Sequence, residues 1–279
     1  MLALDWTDLL GGKQLLSLAV PTRGRAVPVH GGVVDQAVMY KSQKSMEGGL
    51  QRELRVLVPA GTSVVIVADR GFGRTELMKE LRRLGFSFVL RVTGSALLEH
   101  EGLRQRVQQV PLDRGQTRWF REVFYRERQP VAVNLVLTWQ RRMKVAWLLA
   151  ADLAVPPREV IALYGYRRQI EKMFRDAKSL RWGLRLRHVC LRDCGRWERL
   201  LIALGVAYLF LLVAGAEAES RREHRRLQAN TVRKRTLSWL TVGRARFREH
   251  VHHLARCVRS LQWFTVQAWN SGWLRRARD

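Results

Sequence analysis

Seven positions in this chain are of types and spacings that could do chemistry together. Four lie in one stretch, IALYGYRRQIEKMFRDAKSL from Ile161 to Leu180: Tyr164, Arg167, Glu171 and Lys178. On an α-helix turning about 100° per residue they fall at about 0°, 300°, 340° and 320°, a single narrow polar stripe. Leu163, Ile170, Phe174 and Ala177 form a second stripe suited to burial, centred about 80° away. A carboxylate between two cations beside an anchored apolar face is either a site or an ordinary salt-bridged surface stripe. Two further acids, Asp5 and Asp69, lie 64 residues apart, with Glu171 another 102 residues on. Three carboxylates are hard oxygen ligands of the kind that hold Mg2+, or Mn2+ in its place, and share it with phosphate. Two such ions about 4 Å apart could activate a water or a 3′-hydroxyl and stabilise the leaving oxygen of an in-line displacement. The seventh position, Trp147, is an aromatic upstream of Tyr164 that by itself reads as core.

The elements that must position these residues are legible in outline. Leu2–Thr7 reads as a strand carrying Asp5, with Asp8 a weaker competitor where that strand ends. Gln14–Val20 and Arg25–His30 read as two more strands, giving an antiparallel three-stranded start. Gly48–Leu57 reads as a helix ended by Pro59. Ser63–Ala68 is an apolar, β-branched run typical of a buried central strand, and it ends at Asp69. Thr75–Leu84 then reads as a helix and Phe86–Val92 as a strand, a βαβ unit with parallel pairing. In open α/β sheets the working residues lie where strands end, which is where Asp69 falls. Arg118–Arg126, Val131–Trp139 and Met143–Leu149 read as three antiparallel strands, a β-rich block ahead of the helix that Pro156-Pro157 begins.

Composition narrows the class of partner. Fifty Lys and Arg against 24 Asp and Glu give a net charge of +26, and 42 of the fifty are arginine. So basic a chain implies a polyanion, nucleic acid first, and arginine makes bidentate phosphate contacts; a GC-rich genome would also favour arginine codons. The last 99 residues carry +14 of the charge, with Val232-Arg233-Lys234-Arg235, Arg244, Arg246, Arg248 and the Arg275-Arg276-Arg278 tail as phosphate-contact candidates. Three cysteines, Cys190, Cys194 and Cys257, and no signal-peptide pattern at Met1 point to a reducing, cytoplasmic setting. His188, Cys190 and Cys194 lack a second ligand pair at zinc-site spacing. Leu200–Ala216 is uncharged but short for a membrane span and reads as a buried core helix.

Tyr-x2-Arg-x3-Glu-x6-Lys, with Asp5 in LALDWTDL and Asp69 in VIVADRGFG, resembles the motifs of the insertion-sequence-four family of DDE transposases, over nearly the whole chain. The resemblance implies an α/β, ribonuclease-H-like mixed sheet with flanking helices, a β-rich insertion before the Glu helix and a helical, arginine-rich C-terminal region. The corresponding segments are residues 1–95 and 153–200 for the catalytic core, 96–152 for the insertion and 201–279 for the basic region. It implies cut-and-paste transposition on a two-metal Mg2+ site held by Asp5, Asp69 and Glu171, commonly through a hairpin. Arg167, Lys178 and Tyr164 would contact DNA phosphates, Trp147 would stack on a flipped base, and a homodimer would hold the transposon ends and target DNA. Relatives usually carry about a hundred residues before the first aspartate, so the resemblance also implies a truncated or mis-started N-terminus. Two other expectations stand beside it: a structure-selective nuclease of the same fold, and a non-enzymatic DNA-binding protein descended from a transposase.

Overall fold

The structure is a computed structural model and describes residues 1–22, 24–126, 129–179, 186–232 and 236–249. The Arg233-Lys234-Arg235 run, Cys257 and the Arg275-Arg276-Arg278 tail lie outside the described residues. Two compact units are present, Met1–Cys194 and Gly195–Asp279.

The first unit is built on one mixed sheet. Its strands are β1 (Leu2–Leu9), β2 (Lys13–Pro21), β3 (Ala26–Asp35), β4 (Val65–Ala68), β5 (Ser87–Arg91), β6 (Leu97–His100), β7 (Leu103–Arg106), β8 (Thr117–Arg126), β9 (Val131–Thr138) and β10 (Trp147–Ala151). They lie in the order β3-β2-β1-β4-β5-β10-β9-β8-β6-β7. β4 pairs parallel with both β1 and β5, and every other pairing is antiparallel. The strands of 97–151 therefore continue the sheet of β1–β5, joined to it by β10 against β5. The short strands β6 and β7, LLEH and LRQR, have no β-branched residue and were not legible as strands; their pairing to each other and to β8 defines them.

Side-chain alternation divides the sheet into two faces. Leu2, Leu4, Ile66, Ala68, Phe88 and Leu90 point to one face and are buried with Leu50, Leu54, Leu77, Met78 and Leu81 from helices α1 (Gln36–Leu57) and α2 (Thr75–Arg83). Asp5, Asp69 and Arg91 have the opposite parity. Helices α3 (Pro157–Gly165) and α4 (Arg168–Lys178) pack on that face, α3 on β4, β5, β9 and β10 and α4 on β1, β2 and β3.

α1 begins at Gln36, directly after β3, twelve residues earlier than the Gly48 start that sequence suggests. The Gly48-Gly49 pair weakens a helix by roughly 1 kcal/mol per glycine, yet the helix runs through it. Burial of Leu50 and Leu54 along one side, with the ion-paired Glu47 beside them, supplies the compensation. Glu47, only 1% exposed, ion-pairs with Arg74, just before α2, and accepts hydrogen bonds from Trp6 Nε1 (3.0 Å) and Gln43 Nε2 (3.1 Å). Arg74 also donates to the Gly71 carbonyl at 2.6 Å. Trp6 follows Asp5, and Gly71 and Arg74 lie on the loop after Asp69, so one buried carboxylate braces both aspartate-bearing segments from behind. Replacing Glu47 by Ala should cost about 3–5 kcal/mol, because it strands a largely buried guanidinium. Urea unfolding measures this, and a loss under about 1 kcal/mol would show that Glu47 does not brace the loop.

In the second unit α5 (Cys194–Ser220) extends beyond the expected Leu200–Ala216 at both ends, and α6 is Trp239–Glu249. The two cross at glycines: a Cβ on Gly215 would lie 1.9 Å from the Trp239 carbonyl, and one on Gly243 1.8 Å from that of Leu211. Only hydrogens at both positions allow backbones this close. α5 is long and apolar enough to cross a membrane by length and composition, and half of its apolar stretch is buried within the protein.

Candidate active site

The helix carrying the polar stripe is interrupted. α3 ends at Gly165 and α4 starts at Arg168, with Tyr166 and Arg167 in a tightened turn where Arg167 N–H bonds the Tyr164 carbonyl at 3.0 Å. Ile170 N–H likewise reaches only to the Arg167 carbonyl, at 3.1 Å. These are i→i−3 bonds, a local 3₁₀ winding that often marks a functional hinge. Gly165 is a poor helix former and sits at the break. The single regular helix expected from sequence is thus two helices, and Tyr164 and Arg167 turn inward, only 4% and 8% exposed. An exposed salt-bridged stripe would not bury them. Ile170, Phe174 and Ala177 are buried as their spacing suggests, and Leu163 is half-buried.

Three carboxylates meet on the Arg167 guanidinium. Nη1 lies 3.1 Å from Asp5 Oδ2, Nη2 lies 3.8 Å from Asp69 Oδ2, and Nη2 also bonds Glu171 Oε1 one turn along α4. Asp5 stands beside Asp69 because Leu4 is in register with Ala68 across the parallel β1–β4 pair. Asp69 leaves the sheet at the end of β4, where its Oδ1 accepts from Arg70 N–H at 2.6 Å and from the Tyr164 hydroxyl at 3.4 Å. Gly73 lets this loop pass close over β5: a Cβ there would be 2.4 Å from the Arg91 carbonyl. Glu171 is placed by α4, which an ion pair between Asp176 and Arg25 ties to the β2–β3 hairpin.

The other sequence-selected residues lie around this centre. Trp147, at the start of β10, packs edge-on against Tyr164 with ring centroids 4.9 Å apart, and the Arg168 guanidinium lies 5.5 Å from its ring centre. Lys178 donates to Thr7 Oγ1 at 2.6 Å, two residues along β1 from Asp5. Asp8 is exposed and accepts from Gln14, apart from the Arg167 cluster. Sequence reasoning missed Glu47, Arg74, Arg25, Asp176, Thr7 and Arg91. Their partners are up to 171 residues away, so no local spacing could have marked them.

The electrostatics follow from crowding three acids around one cation. Burial pushes the Asp5 carboxyl up to about 6, against the pull of Arg167, with Asp69 and Glu171 adding to the rise. Burial also pushes Tyr164 up to about 12, so its hydroxyl stays a hydrogen-bond donor at any physiological pH. Burial works against the charge of Arg167, but Tyr164 and the three carboxylates outweigh it and hold the guanidinium firmly protonated. Desolvation lowers Lys178, the neighbouring Asp8 opposing it.

Because Asp5 binds its proton more tightly when folded, ionising it costs stability. With a chelator present, this group should make the protein less stable as pH rises from about 4 to about 6. The loss is at most about 3 kcal/mol, at roughly 1.4 kcal/mol for each tenfold change in proton affinity. Asp5→Asn should remove that component of the pH dependence, and thermal melts of both proteins from pH 4 to 7 measure it. Parallel profiles would show that Asp5 is not strained at neutral pH.

Three carboxylates of this kind fit a hard divalent cation by donor chemistry. In the arrangement seen here they surround Arg167 rather than one another. Among the described residues, no three His, Cys, Asp or Glu side chains are gathered closely enough to hold an ion between them. That departs from the direct convergence on a shared metal expected from sequence: the guanidinium stands where the acids' charges meet.

The family model described as "Transposase DDE domain" matches residues 16–210. The match spans more than half of the chain and includes Asp69, Trp147, Tyr164, Arg167, Glu171 and Lys178; Asp5 precedes it. A comparison with curated proteins gives no match.

Proposed function

Since the chain belongs to the transposase DDE-domain family, whose substrate is DNA and whose activity is transposition, we propose that Asp5, Asp69 and Glu171 are its catalytic carboxylates. The reading extends to the insertion-sequence-four type of cut-and-paste reaction, in a soluble, cytoplasmic protein that acts as a homodimer on paired transposon ends and target DNA. The observation that supports it best is the meeting of three acids from β1, the end of β4 and α4 on one buried arginine.

Asp5, Asp69 and Glu171 would hold Mg2+, or Mn2+ in its place. Bound there, the cation would supply activation of a water or a 3′-hydroxyl and charge stabilisation at the leaving oxygen. The chain's own groups do the rest. The Tyr164 hydroxyl, kept protonated by burial, donates a hydrogen bond to a phosphate oxygen. Lys178 presents its ammonium beside Asp5 through Thr7. Arg167, released from part of its carboxylate shell as that charge is otherwise neutralised, pairs with the scissile phosphate and positions it. Trp147 is half-buried against Tyr164 at the rim of the site and offers the remainder of its ring to an unstacked base, recovering part of the few kcal/mol that unstacking costs. Residues 96–152 serve as the insertion that carries this tryptophan, between core segments 1–95 and 153–200, with 201–279 as the basic region.

The test is incubation of the chain with Mg2+ or Mn2+ and a plasmid carrying the element's own end sequences. Sequencing then looks for breaks at the ends, hairpin termini and joined products. Breaks followed by joining are expected. Cutting of branched DNA without joining would replace this reading with a structure-selective nuclease. Metal-independent binding to the ends with no cutting would leave a DNA-binding protein without catalysis.

A further inference from the structure

We propose that two turns at the carboxyl edge of the sheet form a phosphodiester-backbone site, in which Arg114, Arg141, Arg142 and Lys144, on the turns that flank Trp139, hold the nucleic-acid strand running on from the carboxylate centre. The proposal rests on the DNA reading above and assigns a surface that the sequence motifs did not.

Strand directions put this surface in line with the centre. β4 and β5 run parallel, and β10 runs antiparallel to both β5 and β9. The ends of β4, β5 and β9 and the starts of β10 and β8 therefore share one edge. Asp69 leaves that edge after β4, Arg91 ends β5, and Trp147, Thr138 and Thr117 lie in one register row across β10, β9 and β8. The turns at 113–116 and 139–146 rise from the same row. At about 4.8 Å per strand, β9 and β8 lie roughly 14–19 Å from β4, or about five base-pair steps of duplex.

The turns are held in place. Gly115 N–H bonds the Trp139 carbonyl at 2.6 Å and Trp139 N–H bonds that of Gln116 at 3.0 Å, extending the β8–β9 ladder past its last strand residues. Across the second turn Trp139 Nε1 donates to the Met143 carbonyl at 3.3 Å, and Met143 N–H to that of Gln140 at 2.9 Å. The Arg114 guanidinium lies 5.4 Å from the Trp139 ring centre, and the Arg141 side chain lies against Gly115.

All four cations are exposed, and among the described residues none forms an ion pair. The one acid in these turns, Asp113, accepts instead from Gln116 at 2.9 Å. Elsewhere in this unit Arg25, Arg74 and Arg167 each meet carboxylates. Four unpaired like charges on two pinned turns repel one another, and a polyanion relieves that repulsion while releasing its own counterions. Trp139, half-buried and capped by Arg114, adds a cation–aromatic platform that suits a nucleic acid better than an acidic protein surface.

Fluorescence anisotropy on the full chain, in chelator and across a salt series, tests the proposal with a duplex and a single strand of equal length. The quadruple variant Arg114→Ala, Arg141→Ala, Arg142→Ala, Lys144→Ala is compared with a charge-matched control, Arg52→Ala, Arg55→Ala, Arg104→Ala, Arg106→Ala, on α1 and β7. The edge variant should lower the log–log salt slope by about 3.6 on duplex, at about 0.9 for each of four phosphate contacts, and by somewhat less on a single strand. The control should lower it by less than about 1. Restoring charge with Arg141→Lys and Arg142→Lys in place of the alanines should recover about half of the lost slope, which a folding defect would not do. The form of DNA losing more affinity identifies the occupant as flanking duplex or unpaired strand. Equal losses in the edge and control variants would overturn the site while leaving DNA binding intact. Salt-independent or absent binding by the wild-type chain would overturn the DNA reading and this site together.

Discussion

Glu171→Gln should leave DNA affinity within about twofold and reduce strand cleavage and joining by at least about 100-fold. The floor comes from metal sites generally, where loss of a mere supporting partner costs 10–100-fold in affinity or activity; a carboxylate that itself holds the cation should cost more. The amide keeps the side chain's shape and can still face Arg167, which Asp5 and Asp69 continue to hold. The fold should therefore survive, and equal thermal melts of the two proteins in chelator would verify it. Cleavage is read on end-labelled DNA with Mn2+, binding by anisotropy without metal. A Glu171→Gln variant that cuts at near wild-type rate would remove Glu171 from the chemistry, whatever its position.

Arg167→Ala should have the opposite profile, a stability defect first and a catalytic defect second. The guanidinium is 8% exposed and faces Asp5, Asp69 and Glu171. Without it three acids face one another, Asp5 already pushed up to about 6. Breaking a buried pair by removing one partner costs about 3–5 kcal/mol, and that loss should appear near neutral pH in chelator. It should shrink as pH falls through the carboxylate range, since protonation removes the repulsion. It should also shrink when Ca2+, Mg2+ or Mn2+ is added, because a cation bound only by the folded state stabilises it by mass action. The divalent-dependent rise in melting temperature should accordingly be larger for the variant than for the wild type. Equal rises in both proteins, or an unchanged melting temperature in chelator, would show that Arg167 is not holding the acids together.

The contrast between these two variants bears on how the site was legible. The family resemblance makes Arg167 a phosphate clamp, and spacing alone says only that it sits one turn before a carboxylate on an amphipathic helix. Its partners in the structure are the acids. The spacing identified the residue, but a fifteen-residue pattern cannot report that β1 and the end of β4 lie opposite that turn. The same limit applies to Lys178, whose partner Thr7 is 171 residues away.

What the sequence by itself determined is local. Apolar β-branched runs and their ends put Asp5 on the first strand and Asp69 just beyond a buried one, and helical spacing put Glu171 beside Arg167, because pleat and helix periods are properties of a few consecutive residues. The tertiary structure decided the rest. It ran α1 through two glycines, since burial around Glu47, Leu50 and Leu54 outweighs a propensity penalty of about 1 kcal/mol per glycine. It broke the expected helix at Gly165–Arg167 and turned Tyr164 and Arg167 inward. It paired LLEH and LRQR into strands that propensity does not favour. It set the exposed cations of residues 114 and 141–144 on the same edge as Asp69. Each of these outcomes depends on which distant segment a residue meets, and long-range pairing and burial energies carry that information where short-range periodicity does not.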